Sequence, residues 1–311
     1  MHVYAAAVYT NGYRAGGNSG RYAKLTEGEK KVVDSLEYML ESYHYVYRER
    51  FVEAMREDNV KVFLDSGAFS AHTLGVQVDI RAYCDYIIRN KDILRHEDGV
   101  VLASVLDGIG DPLKTWHNQQ IMEQLGAQPL PCFHYGEDER YLEHYIKNYP
   151  YITLGGMVPI PTNQLVIWLD RIWEKYLVDG SGKARLKVHG FGVTSIPLME
   201  RYPWWSCDSS SWVQAAAFGS IMIPEFGPVS VSSGSPSRHQ EGRHFTTLMP
   251  VEREVLQKEL DKVGFNYERV STVYESRAAF NLYCYNEMNA SLKFQAGASF
   301  KRISQELFTD E

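Results

Sequence analysis

The sequence predicts an α/β protein built as a (β/α)8 TIM-like barrel with a C-terminal helical extension. Eight short apolar runs occur in residues 1–226, and most are continuous rather than alternating. Continuous runs are typical of strands buried on both faces of a parallel sheet. Nearly every run is followed by a stretch with helical spacing, and eight strand–helix units favour a closed barrel. An open doubly wound sheet is the alternative, but its nucleotide-binding glycine pattern is missing.

The predicted strands are short apolar runs, several of them bounded by glycine, proline or aspartate, which is the usual punctuation of buried strands. In chain order they are residues 2–9, 60–64, 100–106, 129–135, 151–154, 186–189, 204–207 and 220–223. A glycine-rich loop follows the first strand, at residues 11–20. It lacks the spacing of a phosphate-binding loop, so we expect an ordinary loop there.

The predicted helices between the strands carry apolar residues at three- and four-residue steps. They are residues 26–56, 80–94, 112–125, a segment through Tyr141 and Ile146, a segment carrying Leu165 to Trp173, and the short pieces 196–202 and 212–218. Each is expected to pack its apolar stripe on the sheet. The barrel domain is therefore predicted to span residues 1–226.

Residues 227–311 are predicted to form a loop and a helical extension packed on the barrel. The segment 227–242 is rich in Ser, Pro and Gly and is expected to lie over the barrel mouth, although an unstructured connector fits equally well. Helices are predicted at residues 250–262, which begin with Pro, and at residues 272–288.

Composition excludes several classes of protein. Hydrophobic residues make up 44% and charged residues 23% of the 311 residues, as in ordinary globular proteins. The net charge of −7 argues against coating of nucleic acid by bulk electrostatics, but it leaves room for a local basic patch. No apolar run reaches membrane-spanning length, and the start of the chain predicts a strand rather than a signal peptide. The four cysteines have no close pair, so we expect neither disulfides nor a zinc knuckle, and a cytoplasmic location.

Polar and glycine residues follow the predicted strands at their C-terminal ends. They are Asp65, Asp107, His134, Gly155, Gly156, His189, Gly190 and Asp208. In a barrel these strand ends share one face, where active sites lie, so we expect the set to converge on one pocket. Asp208 ends an aromatic stretch and is the first candidate for the chemistry. It would also serve as an ordinary helix N-cap, which is the competing interpretation.

Short motifs in the same order resemble the tRNA-guanine transglycosylase superfamily, and most closely its phage and bacterial branch that places 7-deazaguanine bases in DNA. Asp65-Ser-Gly-Ala-Phe-Ser resembles the D-S-G-G-[FY]-Q motif that carries the general acid/base of the family. Asp107 stands where the family has an aspartate that reads the guanine edge, and Asp208 stands at the nucleophile. The resemblance covers roughly residues 60–215.

Three further turns complete the resemblance. His134-Tyr-Gly is similar to the Q-G-G turn, Leu154-Gly-Gly-Met to the G-G-[LM] turn, and His189-Gly-Phe-Gly to the M-G-V-G turn. The base-binding residues that it implies are Asp107, Ser66, Phe69, His134, Gly155, Gly156, Met157, His189 and Gly190. Phe69 and Met157 would sandwich the base and His134 would lie near its 7-position. Core packing for the first two, and a structural role for His134, are the alternatives.

The implied activity is a base exchange by a pentosyltransferase, with guanine in DNA replaced by a 7-deazaguanine and with preQ0 as the expected incoming base. Asp208 would form a covalent Asp–deoxyribosyl intermediate, because a carboxylate stabilises an oxocarbenium-like transition state. Asp65 would act first as acid and then as base. No metal or cofactor is expected, since the zinc motif of the tRNA enzymes is missing.

The expected partners are DNA and the free 7-deazaguanine base, with tRNA less favoured. Cationic residues in the C-terminal part are assigned to the nucleic-acid backbone from charge alone, and a solvated surface is the alternative. These residues are Arg238, Arg243, Lys293, Lys301 and Arg302. Three other functions stay open: a tRNA transglycosylase that lacks the zinc site, a noncatalytic nucleic-acid-binding accessory subunit, and a retaining glycoside hydrolase with the same pair of acids.

Overall fold

A computed structural model of the 311-residue chain describes residues 1–14, 20–223, 227–292 and 299–300. The protein is an α/β structure in which a curled sheet of parallel strands resembles half a barrel. The strands are β1 His2–Ala6, β2 Met39–Ser42, β3 Val62–Asp65, β4 His96–Glu97, β5 Val100–Val101, β6 Cys132–His134, β7 Tyr151–Gly155, β8 Lys187–Gly190, β9 Ser206–Ser209, β10 Ser220–Ile223 and β11 Gly227–Ser230.

Within the described residues, the main sheet has seven strands in the order β3-β2-β1-β9-β8-β7-β6, and every neighbouring pair is parallel. The residues of β7 are all buried, as the continuous apolar runs predict. Residues 102–105 lie between the two edges of this sheet. Ser104 N donates to Leu64 O of β3 at 2.9 Å, and Leu130 N, just before β6, donates to Ala103 O at 2.8 Å.

Helices follow most of the parallel strands. They are α1 Glu27–Asp34, α2 Tyr43–Val46, α3 Glu49–Glu57, α4 Ala68–Thr73, α5 Ile80–Arg89, α6 Pro112–Gln124, α7 Glu139–Asn148, α8 Thr162–Ile172, α9 Ile196–Arg201, α10 Ser211–Ala217, α11 Pro250–Lys262, α12 Tyr267–Thr272 and α13 Tyr274–Leu292. A π-helical turn, Trp173–Leu177, continues α8. Side-chain hydrogen bonds fix the first residue of several helices: Thr26 and Glu29 form a capping box on α1, and Asp79 caps α5.

The single helix predicted at residues 26–56 is wrong. The structure divides this segment into α1, the strand β2, and the helices α2 and α3. Met39 and Leu40 of β2 are buried, and β2 pairs with β1 on one side and with β3 on the other. A four-residue strand fits within the spacing of a helical stripe, so the apolar pattern alone did not separate the two.

The eighth apolar run was assigned to the wrong sheet. Residues 220–223 form β10, which pairs antiparallel with β11 in a separate two-stranded sheet. The run predicted at residues 100–106 is also divided. Its first two residues form β5, which pairs antiparallel with β4, and its later part lies between β3 and β6.

The C-terminal helix α13 packs against the first strand of the sheet. The buried side chain of Asn289 accepts a hydrogen bond from Val3 N at 2.7 Å and donates to Val3 O at 2.8 Å. Farther along, Arg269 of α12 forms an ion pair at 2.9 Å with Glu29, which is buried in α1. These contacts tie the helical end of the chain to its beginning. Within the described residues, no helix combines the length and the hydropathy that crossing a bilayer requires.

Candidate functional site

Asp65 is the last residue of β3, and three neighbours hold its carboxylate. Its Oδ2 accepts from Ser42 Oγ at 2.8 Å and from Gly67 N at 2.9 Å, and its Oδ1 accepts from Ser104 Oγ at 3.4 Å. Gly67 has a φ of +72°. This left-handed conformation favours glycine and turns the chain sharply from the acid into α4. The carboxylate is therefore fixed at the C-terminal edge of the sheet.

The acidity of Asp65 is shifted toward neutrality. Burial raises the pKa of Asp65 to about 6; the hydrogen bonds from Ser42 and Gly67 oppose this rise, whereas the charges of Asp107 and Asp208 add to it. An electrostatic effect from both other acids requires that the three carboxylates share one region of the protein. Convergence of all the predicted strand-end residues on one pocket stays a prediction.

Asp208 lies within β9 and is 8% exposed. Its Oδ1 accepts a hydrogen bond from Gly192 N at 2.9 Å and lies 3.3 Å from Nε2 of His189. The N-cap of the following helix α10 is Ser210, so Asp208 does not have the capping role that competed with a chemical one. Both described hydrogen bonds fall on Oδ1, which leaves Oδ2 as the oxygen available to a ligand.

His189 contacts Asp208 and belongs to a row of hydrogen-bonded polar side chains. Its Nδ1 is 2.7 Å from Ser206 Oγ, which is 2.7 Å from the hydroxyl of Tyr151. Burial lowers the pKa of His189, although Asp208 opposes this effect. In the neutral ring that results, Nε2–H donates to Asp208 and Nδ1 accepts from Ser206.

The side chain of His189 is fully buried against aromatic rings, with Phe63 at 4.5 Å and Phe191 at 4.6 Å between ring centroids. Its contact with Asp208 Oδ1 at 3.3 Å was not indicated by the sequence. Next to it, a Cβ on Gly190 would lie 2.6 Å from Val193, so close packing requires glycine there. The base-binding assignments of His189 and Gly190 stay predictions.

Asp107 and His134 lie together at the neighbouring strand ends. His134 Nε2 is 3.3 Å from Asp107 Oδ2 and 3.4 Å from Cys132 Sγ, and its Nδ1 is 2.8 Å from Glu137 Oε1. Asp107 Oδ1 is buried and has no hydrogen-bond partner among the residues that the structure describes. Because buried acceptors are normally satisfied, an unpartnered oxygen at a strand end indicates a place for a ligand.

Burial disfavours the charged form of His134, but the adjacent Cys132 and Asp107 outweigh it and raise the pKa of His134 above its usual value. Burial also raises the pKa of the Cys132 thiol to about 11. In this state, an imidazolium between Asp107 and Glu137 presents N–H donors on both sides.

Gly155 and Gly156 place backbone without side chains beside Cys132 and His134. A Cβ on Gly155 would lie 2.9 Å from Cys132 Sγ and 3.0 Å from Cδ2 of His134. Gly156 has a φ of +68°, and a Cβ there would lie 3.1 Å from Tyr135 N. Both positions therefore require glycine, as the prediction of close backbone approach supposes.

The remaining predicted base-binding residues differ in exposure. Phe69 of α4 is 62% exposed, whereas Met157 is only 2% exposed. Met157 lines a cavity of about 190 Å³ together with Gly192, the residue that donates to Asp208. Ser66 is buried, and its amide donates to Ser104 Oγ at 3.0 Å. Ser66 thus supports the backbone beside Asp65.

The predicted nucleic-acid contacts are less clearly placed. Arg238 Nη1 donates to Ser233 O at 3.1 Å, and Arg243 lines a groove of about 480 Å³ with residues of β11 and α11. Lys293, Lys301 and Arg302 lie outside the described residues. A cavity of about 610 Å³ lies at the opposite, N-terminal ends of the strands, where Trp204, Trp205 and Lys187 line it.

Sequence reasoning missed several residues that shape the site. They are Ser42, Ser104, Cys132, Glu137 and Gly192. Two of them could have been recognised from the sequence. Ser104 is a lone hydroxyl within a continuous apolar run, and Cys132 is two residues before His134, which places both side chains on one face of a strand.

No protein-family model matches this chain, and no curated protein is similar enough to count as a relative. The class that the geometry defines is an α/β protein with a barrel-like parallel sheet and a polar, carboxylate-lined site at its C-terminal edge.

Proposed function

We propose that the protein is a cytoplasmic base-exchange transglycosylase that replaces guanine in DNA with a 7-deazaguanine, preQ0 in particular. The observation that carries the proposal is the convergence of three acids from distant strands. Asp65 has a pKa of about 6 that responds to both Asp107 and Asp208. A pKa near the working pH suits a group that must act as acid and then as base.

The proposal includes a closed (β/α)8 barrel with residues 102–105 as its fourth strand. Its support is the hydrogen bonding of this segment to Leu64 on one side and to Leu130 on the other. With that strand counted and β10 left out, eight parallel strands place their C-terminal ends on one rim. Asp65, Asp107 and Asp208 then face one substrate cavity.

In the proposed reaction, Asp208 Oδ2 attacks C1′ of the deoxyribose while its Oδ1 is held by Gly192 and His189. The bond from C1′ to the guanine nitrogen breaks, and the departing base takes a proton from Asp65. Asp65 then removes a proton from the incoming base, whose nitrogen attacks C1′ and releases Asp208. Two displacements at one carbon exchange the base without an external energy source.

Guanine recognition is assigned to Asp107 and to the backbone at Gly155 and Gly156. The unpartnered Oδ1 of Asp107 would accept from the N–H groups of the guanine edge, which adenine does not present in the same pattern. Asp107→Ala should weaken guanine binding by about 1–3 kcal/mol, or roughly 5- to 150-fold. Isothermal titration with free guanine measures this change, and an unaltered affinity would remove Asp107 from base recognition.

The decisive experiment is incorporation of labelled base. Purified protein is incubated with radiolabelled guanine or preQ0 and, in separate reactions, with DNA or with unmodified tRNA, and label is counted in each polymer. Label in DNA that disappears in Asp208→Asn supports the proposal. Label in tRNA alone would favour a tRNA enzyme without the zinc site. Label in neither polymer, with nucleic acid still bound, would favour an accessory subunit.

A further inference from the structure

Three metal-ligating side chains meet at the ends of adjacent strands. One donor atom from each of Asp107, Cys132 and His134 lies within 4.8 Å of the other two. Cys132 and His134 are two residues apart on β6, so their side chains project from the same face of the strand. Asp107 reaches the same point from the segment that pairs alongside, at Ser104 and Leu130.

Two of the three separations among these atoms fit a tetrahedral metal centre, and the donor atoms of Cys132 and Asp107 lie within 4.8 Å of each other. With usual zinc bond lengths and tetrahedral angles, a sulfur and a nitrogen ligand are about 3.5 Å apart, and a nitrogen and an oxygen ligand about 3.4 Å apart. The observed values are 3.4 Å from Cys132 Sγ to His134 Nε2 and 3.3 Å from Asp107 Oδ2 to the same nitrogen.

Glu137 contacts His134 on the ring nitrogen that faces away from Asp107 and Cys132. Its Oε1 is 2.8 Å from His134 Nδ1, and its Oε2 accepts from the His134 amide at 3.1 Å. A carboxylate on the far nitrogen of a histidine holds that nitrogen as the N–H and turns the lone pair of the other nitrogen toward a metal.

Space for the cation and for a further ligand is provided by Gly155. A Cβ at this position would lie 2.9 Å from Cys132 Sγ and 3.3 Å from His134 Nε2, so any larger residue would cover the donor atoms. One thiolate, one imidazole and one carboxylate suit Zn²⁺, and three protein ligands leave one of the four positions open. The unpartnered Asp107 Oδ1 stays available beside the cation.

We infer that Asp107, Cys132 and His134 bind Zn²⁺, with Glu137 orienting the histidine. The site departs from the expectation, drawn from the missing zinc motif of the tRNA enzymes, that the protein holds no metal. It shares Asp107 and His134 with the base-binding set of the proposed function, but its test does not depend on base exchange, because the cation is bound by the protein alone.

Cobalt substitution tests the site directly. The full-length protein, kept reduced and free of chelators, is titrated with CoCl₂ and followed by absorption spectroscopy. We expect a near-ultraviolet thiolate-to-cobalt band that develops at one equivalent and is lost when ZnCl₂ is added. Cys132→Ser should lose the band, whereas Cys84→Ser, at a buried free cysteine on α5, should retain it. Circular dichroism verifies the fold of both variants.

Glu137→Gln provides a second measurement that leaves all three ligands in place. Zinc affinity, from competition with a chromogenic chelator, should fall by about 10- to 100-fold, as is usual when a supporting carboxylate is removed. A wild-type protein that binds no Co²⁺, or a band that persists in Cys132→Ser, would overturn the assignment. The first result would indicate a protonated His134 between two carboxylates instead. Both results concern metal binding alone, and the labelled-base assay measures base incorporation separately.

Discussion

Replacement of Asp65 by asparagine should stabilise the protein, and increasingly so as the pH rises. The folded state raises the pKa of this carboxyl from 3.8 to about 6. The folded protein therefore binds the proton more tightly than the unfolded chain does. The contribution of the carboxyl to stability is fully present below about pH 3.8 and is lost as the pH rises through about 6. Asparagine resembles the protonated acid and does not pay this penalty.

The size of the effect follows from the two pKa values. Ionisation of Asp65 costs the folded state about 0.5 kcal/mol at pH 4, about 1.6 kcal/mol at pH 5 and about 3 kcal/mol at pH 7.5. The amide oxygen of asparagine can still accept from Ser42 and Gly67, so these hydrogen bonds persist. We expect Asp65→Asn to gain about 2.5 kcal/mol relative to the wild type between pH 4 and pH 7.5.

Urea unfolding, followed by circular dichroism at several pH values between 4 and 8, measures the difference. Asp79→Asn is the matched control, because it also removes one negative charge and because asparagine caps a helix as well as aspartate does. A difference between Asp65→Asn and the wild type that is constant with pH would refute the reasoning, whatever its size. It would mean that the folded state leaves the acidity of Asp65 unchanged.

Three further outcomes are expected. Asp208→Asn should abolish a denaturation-resistant adduct between protein and DNA on a denaturing gel, and an adduct that survives would remove Asp208 as nucleophile. Gly155→Ala should cost about 1–3 kcal/mol in urea unfolding, because its Cβ would lie 2.9 Å from Cys132 Sγ. Gly180→Ala, where no heavy atom of the described part of the chain lies within 4 Å of the new Cβ, should change stability little. Asn289→Ala should cost about 1–3 kcal/mol, since it leaves two backbone groups of β1 unpaired, and an unchanged melting temperature would contradict this.

The parallel, helix-covered sheet was predictable because strands buried on both faces have continuous apolar sequences. Which residues form each strand, and which strands pair, was harder to predict. β2 was read as part of a helix, although its Glu41 is fully buried and accepts from Tyr9 N at 2.6 Å. A charged residue in the middle of a buried strand hides the strand from any apolar pattern. The prediction for β10 was wrong for a different reason, because a short apolar run does not specify which strand it pairs with.

The placement of Asp65 and Asp208 was predictable from topology alone, because parallel strands deliver their C-terminal residues to one edge. The residues that surround these two acids were not predictable. Gly192 contributes only its amide to Asp208, and a backbone donor has no signature in side-chain sequence. The contact between Cys132 and His134 depends on the pleat of β6, and their meeting with Asp107 depends on the pairing of strands that the sequence does not specify.

Ser104 links the sheet to the chemistry of Asp65. Its backbone belongs to the short segment that joins the two edge strands by isolated bridges, and its hydroxyl donates to the Asp65 carboxylate. Backbone hydrogen bonds to Leu64 on one side and to Leu130 on the other hold this buried segment in place. Because the donor hydroxyl is carried by a backbone that both neighbours fix, its distance from the carboxylate depends on how the segment sits between them. Substitutions that shift the segment would therefore alter the acidity of Asp65 without changing any residue proposed to touch the base.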